Sequence, residues 1–81
     1  MELEIEIKDE SIRLGQLLKL AGVVDSGVDA RDVIADAQVY VNGEVELRRG
    51  KQIRPGDEVS CPDAMSGQLA TIRVLADQPE D

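Results

Sequence analysis

The chain has 81 residues, of which nine are basic and seventeen acidic, giving a formal net charge of −8. This length allows one small core, and with one tyrosine and no phenylalanine or tryptophan that core must be aliphatic. Short apolar runs, an acidic N-terminus and a single cysteine argue against a membrane span, a secretory signal and an internal disulfide, and predict a cytoplasmic protein.

The first two predicted elements are an acidic strand and a helix. Residues 2–7, ELEIEI, alternate glutamate with leucine or isoleucine, which predicts a strand with one buried face and one carboxylate face. Ser11 is suited to cap the helix that follows, and Gly22 is suited to end it. The inward stripe of this helix comprises Leu14, Leu17, Leu18 and Ala21.

A second helix is predicted after a short connection, so that the two form a helical hairpin. Ser26 is its predicted cap, with Asp29 three residues later as a capping-box partner. Its predicted inward stripe comprises Ala30, Val33, Ile34 and Ala37.

A β-hairpin follows, and the spacing of its apolar residues bears on its register. A two-residue turn at Asn42 and Gly43 would pair Tyr40 with Val45 and mix the apolar and polar faces. A three-residue loop ending with Gly43 in the left-handed region would instead pair Val39 with Val45. Because this second arrangement keeps the apolar residues on one face, it is the predicted one.

The remaining elements complete an α+β fold. Ile53 is predicted to return to the core, and Pro55 and Gly56 to form a tight turn into the strand EVSC. The run LATIRVL predicts a last strand, and residues 77–81 a frayed acidic tail. The expected architecture is a two-helix hairpin packed on a small, mostly antiparallel β-sheet, in a single domain over residues 1–81.

The basic residues are concentrated in the middle of the chain. Residues 11–54 hold seven basic and six acidic residues, so most of the acidity lies in the two ends. Arg48, Arg49, Lys51 and Arg54 fall within seven residues of one another. Such a cluster predicts either a local patch for phosphates or a loop that only aids solubility.

The patterns of common catalytic and nucleotide-binding sites are missing. The chain has no histidine, no nucleophile-elbow serine, no Walker-type GKS/T and no GxGxxG. We therefore expect a protein that is not an enzyme and that needs no metal and no cofactor.

An ordered set of positions between residues 12 and 60 fits the pattern of a known domain. The set comprises Arg13, Leu14, Gly22, Ser26, Ile34, Val39, Val41, Asn42, Gly43, Ile53, Gly56 and Asp57. On this set the chain resembles the RNA-binding domain named after small-subunit ribosomal protein S-four, the αL motif, and most of all its short stand-alone bacterial members. The resemblance implies an αL-motif RNA-binding core at about 12–60, flanked by an N-terminal strand and by a C-terminal strand with an acidic tail.

The resemblance also implies a function and a surface. It implies non-catalytic binding of structured RNA, either ribosomal or transfer RNA. Separately, we expect a monomer. The implied RNA-binding residues are Arg13, Lys19, Arg31, Asn42, Arg48, Arg49 and Lys51. Arginine and lysine would hold phosphates, and with Tyr40 as the one aromatic residue little base stacking is expected.

The chain departs from the family pattern at four places. Gly15 stands for an aspartate, Gly27 for an arginine and Ala37 for a glycine. An acidic stripe is also expected on the second helix, formed by Asp25, Asp29, Asp32 and Asp36. These departures predict a weaker affinity for RNA or a narrower RNA-facing surface.

Two alternatives accompany this interpretation. The acidic stripe suits a protein–protein interaction module on an αL scaffold that has lost RNA binding. The segments VNGEVE and IRPGDEV are also similar to β-grasp sulfur carriers, but those carriers need a C-terminal Gly-Gly and this chain ends in QPED. The predicted helical hairpin also precedes the VNG turn, unlike the order in those carriers.

Overall fold

The computed structural model describes residues 1–77, so the predicted tail lies outside the described residues beyond Asp77. The helices are α1, Leu14–Leu20, and α2, Gly27–Ala35. The strands are β1 Glu2–Ile7, β2 Ile12–Arg13, β3 Tyr40–Val41, β4 Glu44–Val45, β5 Gln52–Ile53, β6 Glu58–Pro62 and β7 Leu69–Ala76. The predicted α+β class is confirmed.

The strands form a five-stranded sheet in the order β1-β7-β6-β3-β4 and a separate pair, β2-β5. All neighbouring strands run antiparallel except β1 and β7, which are parallel. The alternation predicted for β1 is confirmed, since its three glutamates are exposed while Ile7 is buried and Leu3 and Ile5 pack against the core. No helix within residues 1–77 is long and apolar enough to cross a membrane.

The core is aliphatic, as predicted, and is shared by the helices and the inner face of the sheet. Its fully enclosed members include Leu14, Leu17, Leu18 and Ala30 from the helices and Val59, Cys61, Ala70 and Ile72 from β6 and β7. Burial, with a smaller effect of the Asp63 carboxylate, raises the pKa of the Cys61 thiol to about 11. The thiol therefore stays protonated and behaves as a small apolar group.

The predicted cap of the first helix is wrong. Arg13 occupies the N-cap position, and no side chain caps this helix. The chain is still extended at Ile12 and Arg13 because these residues pair with β5. Ser11 lies before that pair, and its hydroxyl donates to Gln52 Oε1 at 3.0 Å.

The other predicted helix boundaries are confirmed. Gly22 follows α1 in the left-handed conformation, with φ of 76°. Its N–H donates to Lys19 O, and the N–H of Val23 donates to Leu18 O, which together form a Schellman motif. Ser26 caps α2 by accepting a hydrogen bond from the backbone N–H of Asp29 at 3.2 Å.

The second helix ends in the same motif but without a glycine. Ala37, expected in the inward stripe, is exposed and adopts a left-handed φ of 61°, so that prediction is wrong. Its N–H donates to Ile34 O, and the N–H of Gln38 donates to Val33 O. An alanine therefore carries the backbone strain that a glycine would avoid.

Replacing Ala37 by glycine is expected to raise the free energy of unfolding by about 0.5–1 kcal/mol, because glycine adopts this conformation without strain. Chemical denaturation of the two proteins measures the change. Ala35→Gly is the matched control, since Ala35 is helical and its loss should destabilise by about 0.5–1 kcal/mol. Equal effects of the two substitutions would contradict the assignment of strain to Ala37.

The predicted hairpin register is wrong. Tyr40 pairs with Val45, and Val41 with Glu44, so the turn has two residues. Asn42 and Gly43 both have positive φ, at 51° and 85°, as a type I′ turn requires. The apolar residues do not share one face because β4 is a short edge strand whose Val45 remains 48% exposed.

Candidate nucleic-acid interface

The basic loop, residues 46–51 between β4 and β5, is held to the start of α1 by backbone hydrogen bonds. The β2-β5 pair sets Arg13 beside Gln52, directly after the loop. The N–H of Leu14 donates to Lys51 O at 2.8 Å, and the N–H of Gly15 donates to Arg49 O at 3.1 Å. Distant parts of the sequence are thus joined, and cations from the loop lie beside cations from α1.

An open depression lies where α1, the start of α2 and this loop meet; it is called here the cationic depression. Its lining comprises Arg13, Gly15, Gln16, Lys19, Gly27, Ala30, Arg49, Gly50 and Gln52. Three of these described residues are cations and none is a carboxylate. Its volume of about 550 Å³ would suit a small molecule, but a charged rather than apolar lining suits a polyanion better.

A second depression, on the other side of the loop, has a mixed charge. It contains Arg48, Lys51 and Arg54, together with Asn42. It also contains three carboxylates, from Glu44, Glu46 and Asp57. Cations and acids therefore balance in this mixed depression, whereas they do not in the cationic depression.

Arg48 is held within the mixed depression by Glu46. Its Nε donates to Glu46 Oε2 at 3.1 Å and its Nη2 to Oε1 at 3.3 Å, while its backbone N–H also donates to Oε2. The side-chain hydrogen bonds from Arg48 lower the pKa of Glu46, which keeps the carboxylate charged. Arg48 is therefore less available to a phosphate than Arg49, whose side chain has no hydrogen bond or ion pair within residues 1–77.

Asn42 ties the hairpin tip to the turn at residues 54–57. Its Nδ2 donates to Asp57 Oδ1 at 3.1 Å, and its Oδ1 accepts from the backbone N–H of Glu58 at 2.9 Å. Asp57 in turn accepts from the N–H of Arg54, closing the predicted Pro55-Gly56 turn. Both polar groups of the Asn42 side chain are thus used within the protein.

The last predicted contact, Arg31, lies apart from both depressions. It is exposed on α2 and lies 3.6 Å from the carboxylate of Asp32. Of the predicted acidic stripe, Asp29 and Asp32 lie on α2, whereas Asp25 precedes its cap and Asp36 follows its last residue. All four are exposed, and none lines the cationic depression. The acidic face of α2 is therefore distinct from the surface that carries Arg13, Lys19 and Arg49.

Sequence reasoning missed the polar residues that complete these surfaces. Gln16 and Gln52 line the cationic depression, and neither was singled out from the sequence. The position of Gln16, three residues after Arg13 on α1, is a signal that could have been used. Gln52 could not be found this way, because its place depends on pairing with Arg13 across 39 residues of sequence.

The comparisons with known proteins define the class. The family model described as S4 domain matches residues 5–69, which is most of the chain. The helical hairpin, the turn at Asn42 and Gly43, and the basic loop all lie within that match. The chain belongs to the S4 domain family, as the resemblance implied.

Two bacterial relatives and one solved structure resemble this chain. "Probable ribosome maturation protein RlbA" of Bacillus subtilis is 46% identical over 65 residues, covering 80% of this chain and 92% of the relative. "Putative RNA-binding protein YbcJ" of Escherichia coli is 43% identical over 53 residues, covering 65% of this chain and 76% of the relative. The trimeric structure of Vibrio cholerae heat shock protein 15 matches with a TM-score of 0.70 at 20% identity, covering 85% of this chain and 67% of that one. The structural match supports the fold.

Proposed function

We propose that this protein binds structured RNA without catalysing a reaction, with phosphates held in the cationic depression. The observation that carries the proposal is the lining of that depression, which has three cations and no described carboxylate in a chain of net charge −8. Arginine and lysine supply charge-assisted hydrogen bonds to phosphate oxygens. Contacts of this kind recognise the backbone and shape of an RNA rather than its base sequence.

Ribosomal RNA is the ligand that we favour, because the name of the Bacillus subtilis relative refers to ribosome maturation. All three cations of the depression come from one chain, so the proposed site needs no second copy, and we propose a monomer in the bacterial cytoplasm. Of the seven residues that the family resemblance implied, Arg13, Lys19 and Arg49 form the proposed centre. Arg48, Lys51 and Asn42 line the mixed depression instead, and Arg31 lies in neither depression.

Binding to a ribosomal helix fragment across a salt series tests this function. If the three cations contact phosphates, log K should fall with log salt at a slope of roughly −2 to −3. Absence of binding at low salt, with the fold intact by circular dichroism, would contradict the proposal. It would favour the alternative, a protein–protein interaction module whose exposed acidic α2 face meets a basic partner.

A gain of affinity is expected from Gly27→Arg. Gly27 lines the cationic depression, and a Cβ added there would have no neighbour within 4 Å. A fourth cation should raise the affinity at low salt by about tenfold and steepen the salt slope by roughly 0.7–0.9. Gly27→Gln, which adds a similar uncharged side chain, should leave both quantities nearly unchanged; equal effects of arginine and glutamine would place the RNA elsewhere.

A further inference from the structure

Gly15 differs from every other glycine in the described part of the chain. A Cβ added at Gly15 would lie 2.8 Å from Arg49 Cγ and 3.4 Å from Arg49 Cδ. At the other six glycines an added Cβ would have no neighbour within 4 Å. Four of those six have a positive φ, whereas Gly15 is helical and buried. Glycine is needed at position 15 for space and not for backbone freedom.

The space is filled by the side-chain stem of Arg49, one of the three cations of the cationic depression. The backbone N–H of Gly15 donates to Arg49 O at 3.1 Å, so the loop crosses the helix directly at this residue. The Arg49 side chain then runs across Gly15, and both residues line the cationic depression with Arg13 and Lys19. A side chain at position 15 would displace this stem, because contacts under 3.0 Å are not tolerated.

A glycine inside a helix normally weakens it, and alanine is the better helix former. The chain therefore keeps at position 15 a residue that is unfavourable for α1 but leaves room for Arg49. Neighbouring Arg48 is instead held by an ion pair with Glu46. The two adjacent arginines are thus positioned in different ways. Arg48 is held by the Glu46 carboxylate, and Arg49 occupies the space left because Gly15 has no side chain.

We propose that Gly15 is a positioning residue for RNA binding, because it lets the Arg49 side chain lie across the start of α1, where Arg49 lines the cationic depression. This inference rests on the proposed function. Gly15 acts through Arg49, and substitutions at the two positions should not have independent effects.

The test is a double-mutant cycle with Gly15→Ala, Arg49→Ala and the double variant, using the ribosomal helix fragment at low salt. Gly15→Ala should weaken binding at least fivefold and make the salt slope shallower. In the Arg49→Ala background, Gly15→Ala should have no further effect on affinity. Val28→Ala, at an exposed position of α2 that lines neither depression, is the matched control and should change affinity less than twofold.

Equal losses from Gly15→Ala in both backgrounds, or no loss in the wild-type background, would overturn the inference. Stability gives a second readout that does not require RNA. Gly15→Ala should raise the melting temperature in the Arg49→Ala background, where the close contact is removed, by more than in the wild type. An equal shift in both backgrounds would also overturn it, whereas failure of the wild type to bind RNA would overturn the proposed function while leaving this stability result in place.

Discussion

The double variant Arg13→Gln/Arg49→Gln is expected to bind structured RNA at least about 100-fold more weakly at low salt. Each charge-assisted contact is worth roughly 1.5–3 kcal/mol, and two of the three cations of the cationic depression are removed. The slope of log K against log salt should become shallower, at about −1, since one cation of the depression remains. Fluorescence anisotropy with a labelled ribosomal helix fragment measures both quantities.

The matched control is Arg31→Gln/Arg73→Gln, which removes the same number of charges from other places. Arg31 lies beside Asp32 on α2, and Arg73 lies on β7 within 4 Å of Glu2 and Glu58. This control should weaken binding by less than about threefold, because long-range effects between exposed charges are screened. If both double variants lose affinity equally, net charge rather than the cationic depression governs the binding.

Replacing Asn42 by alanine is expected to lower the free energy of unfolding by about 2–3 kcal/mol. The side chain makes two hydrogen bonds, to Asp57 and to the N–H of Glu58, and each contributes about 1 kcal/mol. Alanine would also be strained at the left-handed φ of 51°. For a small domain this is a large part of a total stability of roughly 5 kcal/mol.

Asn42→Gly separates the two contributions, because glycine loses the hydrogen bonds but adopts the backbone conformation readily. It should be less destabilising than Asn42→Ala by about 1 kcal/mol in urea denaturation. RNA affinity, measured where both variants are folded, should change little because the amide is already used within the protein. A loss of affinity without a loss of stability would instead make Asn42 a direct RNA contact.

Local patterns in the sequence predicted most of the elements. Alternation predicted β1, helical spacing predicted the buried residues of α1, and Gly22 and Ser26 marked helix boundaries correctly. These signals work because the physical cause, such as a cap or an inward stripe, lies within a few residues of the element. The hairpin register failed because the preference for a single apolar face does not apply to the exposed edge strand Glu44–Val45.

The candidate site was predicted by residue type but not by arrangement. The sequence indicated that cations cluster near residues 48–54. It did not indicate that Glu46 would pair with Arg48 rather than Arg49, whose side chain has no ion pair in residues 1–77. Ser11 suggested a helix start too early because the β2-β5 pair joins residues about 40 positions apart. Pairings over such distances depend on the whole fold, and no local pattern encodes them.

The parallel pairing of β1 with β7 has a consequence for synthesis of the chain. Among residues 1–77, the first strand, β1, lies at the edge of the sheet, and its partner is the last strand, β7. During translation β1 therefore remains unpaired until β7 has also been synthesised. The β1 strand carries Glu2, Glu4 and Glu6. Charges along an unpaired strand discourage edge-to-edge pairing between nascent chains. The acidic face of this strand can thus protect the newborn protein from aggregation before it contributes anything to the finished fold.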